Sequence, residues 1–134
     1  MNLADVMDQL GDRLDDVGGL RVYRFPPDNV QVPAAVITYP ETYTYDETYG
    51  RGMDRMTLSV VAMVGKASDR AARDQLGQFV DGSGSKSIKQ FLESGTYTAF
   101  DTARVMSADF DIVSMAGVEY VAATLSIDIA GEGA

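Results

Sequence analysis

The 134-residue chain has no cysteine, no histidine and no tryptophan. Without cysteine it can form no disulfide, no thiolate metal site and no cysteine nucleophile. Without histidine it lacks the commonest metal ligand, the commonest general base and any Ser-His-Asp triad. These two absences argue against most enzyme chemistries, and no cofactor or resident metal is expected. Positive charge is also scarce. Eleven Lys and Arg face twenty Asp and Glu, for a net charge of −9. So acidic a chain is a poor binder of DNA phosphates, because counterion release needs Lys and Arg. It should equally stay off an anionic membrane. No run of 18 apolar residues suggests a spanning helix. The N-terminal stretch MNLADVMDQLGDRL is acidic and amphipathic, without the basic and apolar regions of a signal peptide. The expectation is a soluble protein made in the cytoplasm.

What is present fits one globular domain spanning residues 1–134, with 46% hydrophobic and 23% charged residues. A chain of this length buries roughly two-thirds of its unfolded surface, enough for a core without staples.

Periodicity orders the elements. Leu3, Val6, Met7, Leu10 and Leu14 fall at helical spacing, with Asn2 as N-cap and Gly18-Gly19 as the stop. Residues 20–24 alternate as a short strand, broken by Pro26-Pro27. Val36–Tyr39, between Pro33 and Pro40, reads as a second strand. Residues 41–55, rich in Tyr, Thr and acids, predict a long loop or a projecting hairpin. Residues 56–64 form the clearest strand of the first half. A helix follows, with Ser68 expected as its N-cap and Ala72, Leu76, Phe79 and Val80 as its apolar stripe. Ser87 opens a short second helix, with Gln90 as its capping-box partner. Residues 102–114 and 118–129 form a hairpin around Met115-Ala116-Gly117, and the tail 131–134 is expected to fray. In the last strand Val121, Ala123, Leu125, Ile127 and Ile129 share one face. The order predicts an α+β fold: a mostly antiparallel sheet of four or five strands, with the N-terminal helix and the central helix pair on one face.

Candidate chemistry is sparse. Asp109 and Asp111 flank Phe110 and point to one face, as an acid/base or metal pair would, but with no third ligand or base nearby the solvated face of a strand is the better reading. Asp12, Asp15 and Asp16 lack calcium-loop spacing and close a helix whose dipole they oppose. The run Gly82–Ser87 lacks the spacing of a phosphate loop and follows a helix rather than a strand. Met7, Met56, Met63, Met106 and Met115 fit core positions. The strongest surface signal is the set Tyr43, Tyr45, Tyr49, Arg51, Met53 and Arg55. Tyrosine and arginine favour protein interfaces, and the acids interspersed here repel a phosphate backbone.

Phrases along nearly the whole chain carry a resemblance. They are LADVMDQLGDRL, the strand PAAVITYP after FPPDNVQV, the helix pair SDRAARDQLGQFVDGSGSKSIKQFLES, and the closing hairpin VMSADFDIVSMAGVEYVAATLSIDIAG. Together they resemble the tail terminator (tail completion) proteins of long-tailed bacteriophages. That resemblance implies an α+β subunit of a homo-oligomeric ring, a hexamer, in the virion tail. The ring would cap the head-proximal end of the tail tube, stop its polymerisation and meet the head–tail connector protein. DNA would pass through the lumen without specific binding, as the acidity allows. A tail tube or connector subunit is the nearest alternative. A small-ligand-binding domain or enzyme using Asp109 and Asp111 is the alternative of another class.

Overall fold

The computed structural model describes residues 1–45, 53–115 and 117–132. Along the chain run α1 (Leu3–Asp15), β1 (Arg21–Tyr23), β2 (Ala34–Ile37), β3 (Thr42–Thr44) and β4 (Met53–Lys66). Then come α2 (Arg70–Val80), α3 (Ile88–Ser94), β5 (Thr102–Met115) and β6 (Val118–Glu132). The fold is α+β, with six strands in one mixed, mostly antiparallel sheet. Their order is β1-β2-β4-β6-β5, and β3 also pairs with β4. Among the described residues β1 and β2 pair in parallel, and the other pairs are antiparallel.

The expected four or five strands become six because β4 is longer than its apolar run. It starts at Met53, and β3 pairs through Thr42–Thr44 with Arg55–Thr57. Of the expected loop or hairpin over 41–55, residues 42–44 and 53–55 are thus strand residues of the sheet, and 46–52 lie outside the described residues. The two short strands β2 and β3 succeed one another along the same edge of β4.

The alternation of β4 and β6 explains which face the helices cover. Met56, Leu58, Val60, Ala62 and Val64 of β4 are buried in one cluster with Ala123, Leu125, Ile127 and Ile129 of β6. On them lie Val6, Leu10 and Leu14 of α1, Ala72, Leu76 and Phe79 of α2, and Ile88 and Leu92 of α3. Each fully buried Leu, Ile or Phe contributes about 1.5–3 kcal/mol relative to exposure. The opposite face has a smaller cluster of Val36, Met63 and Ala122, against which Tyr23, Val30 and Val32 pack.

Local signals hold with adjustments. The Asn2 side chain accepts from Asp5 N at 3.1 Å, capping α1 as expected. Asp69, not Ser68, caps α2, because its carboxylate reaches Ala71 N at 2.9 Å. Ser87 caps α3, but Gln90 turns away from the capping box and accepts from Gly84 N at 2.8 Å. Strand β6 carries on through Gly131, which is buried, and Glu132, so pairing with β4 and not fraying governs those two residues. Met106 is 49% exposed rather than core. The pairing of β5 with β6 shifts register between Val105 and Ser107, and Met106 is the extra residue of that bulge.

The acids that oppose the α1 dipole have a use. Arg24 Nη2 lies 2.6 Å from Asp12 and 2.8 Å from Asp15. Those two bonds raise the Arg24 pKa above its usual value. Gly11 allows this, since a Cβ there would stand 2.5 Å from Arg24 Cγ. Lys86 serves the same helix end, donating to the carbonyls of Val17 and Gly18 at 3.2 Å each. The lysine of the glycine–serine run thus binds backbone oxygens.

Candidate functional site

The tyrosine-rich hairpin is tied to the body of the protein through one buried carboxylate. Tyr43 stands opposite Met56 on the helix-covered face of the sheet. Its hydroxyl donates to Asp54 Oδ2 at 3.0 Å, and Asp54 is only 5% exposed. The same hydroxyl accepts from the Met1 amino group at 3.2 Å, and that group also donates to Glu132 O at 3.3 Å. Burial, then the hydrogen bond to Asp54, pushes the Tyr43 pKa up to about 12. Tyr43→Phe should cost about 1.5 kcal/mol, the low end for a hydrogen bond to a charged group because this one is only partly buried. Chemical denaturation checks this: the midpoint should fall with an unchanged slope.

The other members of the set divide. Tyr45 is 71% exposed, with its ring centroid 4.6 Å from that of Tyr43. Met53 is half-buried at the start of β4, opposite Glu132. Arg55 lies on the opposite face of the sheet and forms an ion pair with Asp128 of β6. Tyr49 and Arg51 lie outside the described residues. Among the four described members, Tyr43 and Arg55 are thus engaged within the chain, and Tyr45 is an aromatic presented to solvent.

Asp109 and Asp111 do share a face, as their spacing implies. They pair across to Thr124 and Ala122 on the helix-free side of β5, and both are exposed. The Asp111 carboxylate accepts from Ile112 N at 2.7 Å. Among the described residues no three acidic side chains gather to hold a metal ion.

Sequence reading missed the other face of that segment. Phe110 and Ile112 are 62% and 54% exposed, although they fall in line with the buried Ala123 and half-buried Val121 of β6. Their alternation alone marks them as core. The missing signal is lateral position: β5 is the outer strand of the sheet, and at these rows the covered core includes Ala62 of β4 and Ala123 of β6 but leaves β5 exposed. Lower down, α3 does reach the strand. Glu93 Oε2 accepts from Val105 N at 3.0 Å and from Lys89 Nζ at 2.5 Å. Burial opposes ionisation of Glu93, but those two donors outweigh it and lower its pKa.

No helix among the described residues is long and apolar enough to cross a membrane. Comparison with known proteins finds no family model that matches this chain and no curated protein that matches it.

Proposed function

We propose that this chain is a structural subunit of a phage virion, a tail terminator that forms a ring on the head-proximal end of the tail tube. The observation that carries the reading is a sheet with two open edges of different character. β5 presents Asp109, Phe110, Asp111 and Ile112, while β1 presents Arg21. A subunit with two unlike contact surfaces can build a closed ring, because each copy offers one to either neighbour. The resemblance in phrasing along the chain gives that ring its place in a tail. A net charge of −9 per copy supports a lumen from which DNA is repelled rather than held. The exposed Tyr45 on the hairpin is the contact offered to the tube protein or the head–tail connector protein.

A tail tube or connector subunit would share the open edges, and polymer form separates the readings. A tube subunit grows open cylinders, whereas a terminator stops as one ring. The enzymatic alternative lacks a favouring observation, since Asp109 and Asp111 stand on an open strand face.

The reading is tested by polymerising the cognate tail tube subunit with and without this protein. Electron microscopy should show shorter tubes, each closed at one end by a ring. Tubes of unchanged length with bare ends would contradict it. Tyr45→Ala should leave the ring intact and reduce capping about tenfold, the effect of losing one aromatic anchor.

A further inference from the structure

The two outer strands of the sheet are complementary in direction, height, hydrogen-bond phase, face and charge. Direction follows from the pairings. β1 is parallel to β2, and antiparallel pairings then link β2 to β4, β4 to β6 and β6 to β5, so β1 and β5 run in opposite senses. Height follows from the register. One row across the sheet reads Val22, Ala35, Ala62, Ala123, Phe110. The row on one side of it reads Arg21, Ala34, Met63, Ala122, Asp111, and the row on the other reads Tyr23, Val36, Val61, Thr124, Asp109. A copy shifted sideways along these rows sets its Val22 beside Phe110.

Hydrogen-bond phase agrees. Arg21 N donates to Pro33 O at 3.0 Å, so Arg21 is turned towards β2, and Val22 turns its N–H and C=O to the open edge. On β5, Met115 and Val118 pair across a two-residue turn, where Gly117 has a φ of 79°. Such a turn is closed by a hydrogen-bonded pair, so residues 113, 111 and 109 face β6 and residues 112 and 110 face outward. The Ile112 N–H accordingly finds the Asp111 carboxylate instead of a β6 carbonyl. Val22 and Phe110 are both outward residues, the condition for a hydrogen-bonded antiparallel pair.

Face and charge select the partner. Arg21 and Asp111 lie on the helix-free face, both exposed, and neither has an ion pair among the described residues. On the helix-covered face, exposed Phe110 and Ile112 would meet Val22 and Leu20 of the neighbour, which are only partly buried. Two copies of β5 centred on Phe110 would instead oppose Asp109 to Asp111, and like charges directly opposite are destabilising. The charges therefore disfavour β5 against β5 and favour β5 against β1.

We propose that β5 of one copy adds to β1 of the next, antiparallel, with Phe110 opposite Val22 and Asp111 beside Arg21, so that the sheet continues from subunit to subunit. The second copy is the occupant of the exposed β5 edge. This names the contact within the ring reading and rests on it. Such a contact uses two different surfaces and leaves one of each kind free, so it propagates until a ring closes.

The experiment measures molar mass against concentration for the full chain and its Arg21→Asp, Asp111→Arg and doubly exchanged variants. All altered side chains are exposed, so thermal melting should be unchanged. Each single exchange should raise the concentration for half-assembly by about tenfold, since it replaces a favourable cross-strand pair by a like-charged one. The double exchange, and an equimolar mixture of the two single variants, should return it to within about threefold of the original. Phe110→Asp should abolish assembly without lowering the melting temperature. A wild-type chain that is monomeric at every concentration overturns the pairing. So does assembly indifferent to both single exchanges, or a double variant as impaired as the singles. Rings that persist through all these variants overturn the pairing and leave the terminator reading standing. Open fibres that obey the charge exchange uphold the pairing and overturn the terminator reading.

Discussion

Phe79→Ala should remove about 3–5 kcal/mol of stability, much of the 5–15 kcal/mol that holds an ordinary domain together. Phe79 sits on α2, is 2% exposed, and belongs to the same buried cluster as Leu58 and Leu125. Truncation deletes apolar area and leaves a cavity that the surrounding sheet and helices close only in part. The melting temperature should fall by roughly 10–20 °C in a chain of this size. Phe110→Ala is the matching control. That ring is 62% exposed, so its loss should change monomer stability by no more than about 0.5 kcal/mol. The pair separates what one phenylalanine does for the fold from what the other does at the surface. Calorimetry on both variants checks it. A loss under about 1 kcal/mol for Phe79→Ala would contradict the packing of α2 on the sheet.

Ser87→Ala should cost about 2 kcal/mol, a large effect for one hydroxyl. Ser87 is fully buried where the turn after α2 meets α3. Its Oγ donates to Asp81 O at 2.5 Å and accepts from Gln90 N at 3.1 Å. Alanine leaves both part-buried backbone groups without that partner, one in the turn after α2 and one in the first turn of a seven-residue helix. A helix so short has little stability of its own and depends on its cap and on Ile88 and Leu92. Hydrogen exchange should localise the damage, with the amides of Gln90 and Phe91 losing protection before those of β6. Ser87→Thr, which keeps the hydroxyl, should recover part of the loss. Uniform loss of protection across the chain would show that the residue supports something other than this cap.

The elements of this fold were legible where one periodicity ran long enough. α1 and β6 follow directly from apolar spacing, because each buries one face against the core. β1, β2 and β3 were harder. Each has only three or four residues, and their places along the sheet come from tertiary pairing rather than from local preference. The shift of the α2 cap from Ser68 to Asp69 has a local cause: both side chains can cap, and the turn after β4 decides which is placed to reach Ala71 N.

Surface features were less legible. The tyrosine set reads as an interface by composition, but composition does not reveal that Tyr43 is spent on Asp54 or Arg55 on Asp128. Phe110 and Ile112 carried the opposite signal, since alternation with Asp109 and Asp111 is the pattern of a half-buried strand. Only the place of β5 at the outer edge of the sheet, beside the covered β6, turns them into surface. Arg24 had no sequence signal at all. Its bonds to Asp12 and Asp15 depend on Gly11 lying beneath its side chain, a closeness that the chain order does not disclose.

The claim at the centre of this account is that the chain assembles through unlike edges into one closed ring. Sedimentation equilibrium of the full-length wild-type protein over a wide concentration range tests it most directly. The account predicts a transition from monomer to a single larger species whose mass then stays constant, a hexamer by the resemblance noted above. Mass that keeps rising with concentration, or a monomer throughout, would contradict it.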